Sequence, residues 1–230
     1  NVTLELMPGD LFGFIGQNGA GKTTAIKCMV GLLEFEEGDI LIDGQSIKTQ
    51  PIACKRKLAY IPDNPDLYET LTGLQYIDFI SDVYGVPTEE RNRRIQHYAG
   101  LFGIREVLGD TISSYSHGMK QKVSLVAALT HAPQVLVLDE PFVGLDPKAA
   151  YSLKNIFKQL CQQGGTIFFS THVLEVAQSL CNKIGIIKEG KIIAFGTTEQ
   201  IVGDKSLEQI FLQLVDDGAQ QDDDYPVYMG

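Results

Sequence analysis

Four short stretches hold the residue types that chemistry needs. "GQNGAGKTT", Gly16 to Thr24, surrounds a lysine and two threonines with glycines. "VLVLDEP", Val135 to Pro141, ends an apolar run in two adjacent carboxylates, and "STHVLEV" sets His172 just behind the apolar run "TIFFS". "SYSHGMKQK", Ser114 to Lys122, puts a serine beside a histidine, then a glycine and two lysines. Local sequence leaves that last stretch three readings: a nucleophile with its base, a basic patch for RNA, or a helix start waiting for an anion.

The first stretch matches G-x-x-x-x-G-K-[ST] and stands where that motif requires, after the strand-like "LFGFI" and at the opening of the helical "KTTAIKCMVGLL". Glycines let consecutive backbone N–H groups turn inward as an anion nest, and a helix N-terminus adds partial positive charge. Asn18, Gly19, Ala20, Gly21, Lys22, Thr23 and Thr24 are therefore the expected ATP-binding residues. Lys22 is expected to reach the β- and γ-phosphates, and Thr23 to ligate Mg2+. Beside such a loop, a strand ending in carboxylates reads as catalytic rather than as a solvated turn. Asp139 suits a water-mediated contact to Mg2+, and Glu140 suits orienting or deprotonating the attacking water. His172 follows another predicted strand at its carboxyl end, where open α/β sheets bind ligands, which favours a γ-phosphate contact over a helix-cap role. Lys22, Glu140 and His172 form the expected catalytic set.

The elements that must position these groups are legible as short β-branched and aromatic runs: "LFGFI" at Leu11, "LAYI" at Leu58, "VLVL" at Val135, "TIFFS" at Thr166 and "IGIIK" at Ile184. They alternate with helix-length amphipathic stretches, which predicts an α/β fold with buried parallel strands. "KIIAFG" follows "IGIIK" across Glu189-Gly190, a turn pair that predicts an antiparallel hairpin at one edge. Strand signals vanish between about Leu71 and Ser113. There Ile95, Tyr98, Ala99 and Phe102 fall at i, i+3, i+4 and i+7, one apolar helical face. An inserted helical subdomain is expected over about 71–130, carrying "SYSHGMKQK".

With 230 residues, 44% hydrophobic and 21% charged, the chain has apolar material for one large packed domain. Its longest apolar runs fall far short of the roughly 18 residues of a membrane span. The opening "NVTLELMPGD" shows no signal-peptide pattern and no initiator Met, so further N-terminal strands are expected upstream of residue 1. Cys28, Cys54, Cys161 and Cys181 are widely spaced without a CxxC pair, which predicts reduced, buried thiols. Net charge is -10, and Asp216, Asp217, Asp222, Asp223 and Asp224 lie in a tail, 216–230, expected to be solvated and poorly ordered. The acidic balance argues against a general nucleic-acid binder, which needs a basic face.

Ser116 can cap a helix "MKQKVSLVAAL" and leave amides facing an anion, although a phosphate loop already exists about a hundred residues earlier. Two anion sites for one nucleotide suggest sharing between subunits. Here the chain resembles the nucleotide-binding subunit of ABC transporters. Walker A (Gly16 to Thr23), Walker B with its glutamate (Val135 to Glu140), the D-loop "GLD" (Gly144 to Asp146) and a switch histidine (His172) stand in family order, and the signature "LSGGQ" appears as "YSHGM". The resemblance implies a P-loop NTPase (ABC ATPase) core with a mostly parallel sheet, an antiparallel edge and the helical insertion. It also implies a head-to-tail dimer, expected to be a homodimer, in which Ser116, Gly118 and Asp146 of one subunit contact the ATP held by the other. His117 replaces a family glycine and Met119 the signature glutamine. No "GxSxG" elbow surrounds Ser116, which removes the nucleophile reading.

The resemblance places Asp63, in "YIPDNPDLYETLT", at the family's Q-loop glutamine position. A carboxylate there would approach Mg2+ more directly than an amide but with a shorter reach, so Asp63 joins Thr23 and Asp139 as an expected metal residue. The adenine-stacking aromatic of the family would lie upstream of residue 1. The wording around Asp63 and the signature looks most like the drug-export, bacitracin-resistance and Ecs-type subset. The implied function is a Mg2+-dependent ATPase, peripheral on the cytoplasmic face of a membrane, that powers an exporter through separate permease subunits. The alternative is a soluble ABC ATPase acting on ribosomes or nucleic acid, whose relatives carry two cassettes, long coiled-coil arms or zinc insertions. A regulatory module without hydrolysis is disfavoured by Glu140 and His172.

Overall fold

The run "LFGFI" forms strand β1 (Leu11–Ile15), buried along its whole length. Its side chains alternate between two cores: Leu11 and Ile15 join one cluster, Phe12 and Phe14 the other. A strand buried on both faces has to be covered by helices on both sides, and the rest of the chain supplies them. In the computed structural model, residues 2–216 are described. After β1 come α1 (Lys22–Met29), β2 (Leu41–Ile42), β3 (Gln45–Ser46), α2 (Pro51–Lys57), β4 (Leu58–Ile61), α3 (Gly73–Val83), α4 (Thr88–Phe102) and α5 (His117–Thr130). Then follow β5 (Val135–Asp139), α6 (Pro147–Gln162), β6 (Thr166–Thr171), α7 (Leu174–Leu180), β7 (Lys183–Lys188), β8 (Lys191–Thr197), α8 (Thr198–Val202) and α9 (Leu207–Asp216).

Six strands form one sheet in the order β4-β5-β6-β1-β7-β8, parallel except for the β7–β8 edge pair. The mostly parallel sheet with an antiparallel edge is the expected class. The edge turn at Glu189-Gly190 has φ values of 49 and 75°, both left-handed, as a tight hairpin on twisted strands requires. A second turn of that kind, Asp43-Gly44 at φ 49 and 72°, joins the small β2–β3 hairpin, which the strand runs did not reveal. Its strands are two residues long, too short for an alternating pattern, although the Asp-Gly pair is itself a hairpin signal.

Register decides where the strand ends fall. Ile61 pairs with Leu138, Asp139 with Ser170, and Ile15 with Thr171. The chain therefore leaves β4, β5, β6 and β1 at one end of four neighbouring strands, which brings distant loops together.

The stretch between β4 and β5 is helical, and the only strand-like pairing there among the described residues is an isolated bridge between Thr72 and Thr111. Thr72 opens α3 with a capping box to Gln75. The face foreseen on α4 is buried at Ile95, Ala99 and Phe102 and half-buried at Tyr98. It packs on α5, whose residues Val123 to Thr130 are buried without a break. The four cysteines are free; Cys54 and Cys181 are buried, while Cys28 and Cys161 are half-buried rather than fully enclosed. No helix among the described residues is long and apolar enough to cross a membrane. The expectation for the acidic tail lies outside the described residues, apart from the backbone of Asp216 at the end of α9.

One packing detail has a pH consequence. His131 ends α5 and stacks on Tyr84, with ring centroids 3.7 Å apart and planes within 6°. Burial pushes its imidazole down to about 4, and the Arg94 guanidinium pushes the same way. An unfolded imidazole titrates near 6.5. The unfolded chain thus takes up a proton that the folded chain refuses, so this part of the stability is complete above about pH 6.5 and is lost as pH falls toward about 4. His131→Phe keeps a ring against Tyr84 and should flatten the acid limb of stability against pH, by on the order of 2 kcal/mol across that window. Urea titrations at pH 7 and pH 4.5 measure it; parallel acid limbs in both proteins would refute the assignment.

Candidate functional site

The loop after β1 is shaped by two glycines in the left-handed region, Gly19 at φ 81° and Gly21 at φ 105°. Gly21 stands at the N-cap of α1 and no side chain caps that helix, so its first amides face the loop without a side-chain acceptor. The amide of Ala20 donates to the carbonyl of Gln17 at 3.1 Å, and the amide of Gly190 in the β7–β8 turn donates to the carbonyl of Ala20 at 2.9 Å. The loop is thereby tied to the far edge of the sheet.

Lys22 is 7% exposed. Its Nζ donates to the carbonyls of Gly16 at 2.7 Å and Gln17 at 3.2 Å. An ammonium has three donors, so a third direction remains for an anion. Thr23 Oγ1 donates to Asp139 Oδ2 at 2.7 Å, which joins the first turn of α1 to the end of β5. Ser170 Oγ donates to the other oxygen of Asp139, a residue only 3% exposed. The amide of the next residue, Glu140, donates to Ser170 twice, to its carbonyl at 3.2 Å and its hydroxyl at 3.1 Å. Those bonds hold Glu140 at φ 48°, an uncommon conformation for a side chain of this size and a feature that clusters at functional sites. His172 Nδ1 lies 2.9 Å from Glu140 Oε1.

Gln17, Asn18, Gly19, Gly21, Lys22, Thr23 and Thr24 line a cleft of about 260 Å³ together with Asp63, Asp139 and Glu140. Helix-start amides without a side-chain cap and a buried ammonium suit phosphate oxygens. A threonine hydroxyl and two carboxylates are hard oxygen donors that suit Mg2+. The described residues contain no cluster of three or more His, Cys, Asp or Glu able to hold a metal by themselves. That donor set fits a cation that completes its coordination with waters and substrate phosphates, as Mg2+ commonly does.

The remaining expected residues do not line this cleft. His172 lies beside Glu140 as its partner, with its own ring exposed. Ser116 is the N-cap of α5, accepting from the amide of Met119 at 3.3 Å. Gly118 lies against the loop after β5: a Cβ there would sit 2.4 Å from the carbonyl oxygen of Gly144, and a Cβ on Gly144 would sit 2.8 Å from the His117 ring. Only glycine permits that approach at 118. Asp146 caps α6, accepting from the amide of Ala149 at 2.9 Å, and pairs with Lys122 of α5. Ser116, Gly118 and Asp146 thus form a second locus, tied together by Lys122 and the Gly118–Gly144 contact.

Two participants escaped sequence reasoning. Ser170 holds both Asp139 and Glu140, and Lys122 ties α5 to Asp146. Ser170 carried a signal, a hydroxyl near the end of the apolar run "TIFFS"; the meaning of that signal depended on β6 lying beside β5.

The ABC transporter family model matches residues 1–143. The linearmycin resistance ATP-binding protein LnrL of Bacillus subtilis is 36% identical over 196 residues, 85% of this chain and 63% of that protein. The ABC-type transporter ATP-binding protein EcsA of Bacillus subtilis is 32% identical over 224 residues, 95% of this chain and 91% of that protein. A solved ATP-binding subunit of an ABC transporter superposes with a TM-score of 0.90 at 34% identity, covering 94% of this chain and 92% of the other. The chain spans about three fifths of the length of several curated relatives, LnrL among them. A family match over more than half of the chain, running from the glycine loop through the two carboxylates after β5, leads to one conclusion: the chain belongs to the ABC transporter family.

Proposed function

We propose that this chain is the ATP-binding and ATP-hydrolysing unit of an ABC exporter, working at the inner face of a cell membrane against separate permease subunits. The observation that carries the reading is the convergence in one cleft of the glycine loop with Lys22, the Thr23–Asp139 bond and the Glu140 carboxylate held by His172. ATP with its Mg2+, when bound, supplies the phosphoryl group at which water attacks. Lys22 and the loop amides hold the phosphates. Thr23, Asp139 and Asp63 hold the cation. Glu140 orients the attacking water and takes its proton, and His172 keeps the carboxylate aimed while its exposed ring faces the γ-phosphate side.

Ser116, Gly118 and Asp146 serve the cleft of a second copy, since within one chain they line no part of their own. Residues 71–130 form the helical subdomain that carries Ser116 and Gly118 of this second locus, and Asp146 joins them from the start of α6. The linearmycin-resistance and multidrug-transporter names of relatives favour export as the direction.

Detergent extraction of membranes containing the tagged chain tests the reading. A hydrophobic membrane protein should co-purify, and the complex should hydrolyse ATP faster than the chain alone. Recovery with ribosomes or nucleic acid, and no membrane partner, would favour the soluble alternative.

A further inference from the structure

Tyr60 carries a buried hydroxyl with no hydrogen-bond partner among the described residues. Buried phenol hydroxyls ordinarily find one. The residue sits on β4 opposite Val137 of β5, so the ends of both strands, with Asp63 and Asp139, lie just beyond it. Its ring packs in the cluster of Phe12, Phe14 and Ile26, on the α1 side of the sheet. It is therefore placed beneath the helix whose first turn carries Lys22 and Thr23. Burial, followed by the charges of Asp139 and Asp63, pushes the phenol up to about 12, so both carboxylates are electrostatic neighbours of the hydroxyl. Tyr60 is not among the residues that line the cleft.

We propose that Tyr60 is a positioning residue for the divalent cation of the nucleotide site. Its hydroxyl donates a hydrogen bond to the Asp63 carboxylate once a cation occupies the cleft, and so raises cation affinity through Asp63 without touching the metal. The physical reason is linkage. Without a cation, the negative charge of Asp139 repels that of Asp63, Asp63 stays exposed in its turn, and the hydroxyl has no partner. A cation attracts both carboxylates and draws Asp63 inward, and a hydrogen bond made only in that state contributes to cation affinity. The inference rests on the proposed nucleotide site and deepens it.

Tyr60→Phe keeps the ring and removes the hydroxyl. Two equilibrium measurements test the proposal: ADP affinity in EDTA, and Mn2+ affinity of the ADP-loaded chain read from the electron paramagnetic resonance signal of free Mn2+. The variant should bind ADP in EDTA as wild type does, bind Mn2+ about 3–10-fold more weakly, and melt in EDTA no lower than wild type, because a buried unpaired hydroxyl has been removed. Asp63→Asn should weaken Mn2+ binding on its own, and Tyr60→Phe should add little in the Asp63→Asn background. Unchanged Mn2+ affinity, or fully additive effects of the two substitutions, overturns the proposal. A lower melting temperature of Tyr60→Phe in EDTA also overturns it, since the hydroxyl would then be bonded in the metal-free state. Asp139→Asn separates this failure from failure of the site itself: if Mn2+ binding survives that substitution, the cation site is wrongly placed whatever Tyr60 does.

Discussion

Glu140→Gln should leave the dissociation constant for ATP within about threefold of wild type while phosphate release falls by at least about a hundredfold, the usual loss when a general base is removed. Lys22→Ala should do the reverse first, weakening ATP binding by roughly 10–100-fold through the loss of a charge-assisted contact to phosphate. The two residues differ because of where each is held. Lys22 is buried and bound to the loop carbonyls of Gly16 and Gln17, which leaves a donor for the phosphates of the proposed substrate in the ground state. Glu140 is fixed by Ser170 through its backbone and by His172 through its carboxylate, so its role in the proposed reaction is toward the attacking water rather than toward ground-state binding. Glutamine keeps the shape and cannot take the proton, so Glu140→Gln should also accumulate an ATP-bound dimer. Equilibrium binding beside a phosphate-release assay separates the cases, and equal loss of binding in both variants would contradict the assignment.

Lys22→Ala and Ser116→Arg subunits, each inactive alone, should recover activity when mixed. A mixed dimer has one site carrying both lesions and one carrying neither, whereas each mutant homodimer has two damaged sites. With random association at equal amounts, half of the dimers are mixed and half of their sites are intact, so recovery reaches about a quarter of wild-type turnover. Turnover against mixing ratio should peak near equal amounts. Wild-type turnover should also rise faster than linearly with concentration where dimers are scarce. The structural ground is the separation of two loci within one chain: the cleft at the ends of β1, β4 and β5, and the Ser116, Gly118 and Asp146 cluster around the start of α5. Arginine at 116 removes the cap hydroxyl and blocks the approach to the α5 amides. Turnover linear in protein down to monomer dilutions, with no recovery on mixing, would leave Ser116 as a helix cap alone.

The elements that hold the cleft were legible because their signals are local. "LFGFI", "LAYI", "VLVL" and "TIFFS" are buried on both faces and read as near-continuous apolar runs. The glycines at 19 and 21 mark left-handed positions that other residues adopt at a cost. The β2–β3 hairpin was not legible from periodicity, since two residues per strand carry none. The lone Asp43-Gly44 turn was its trace.

By itself, the sequence determined the residue types of the site and the elements that carry them: an ammonium after a glycine loop, two carboxylates after an apolar strand, a histidine after another. Those are short-range properties, set by backbone freedom and by the period of apolar side chains. Only the tertiary structure decided which of them meet. The strand order β4-β5-β6-β1 is a matter of long-range pairing and has no local signature. It sets Ser170 beside Asp139, Thr23 on Asp139 and His172 on Glu140, and it leaves the hydroxyl of Tyr60 buried without a hydrogen-bond partner among the described residues. The same long-range packing closes Gly118 onto Gly144, because that contact joins the start of one helix to a loop beyond the next strand.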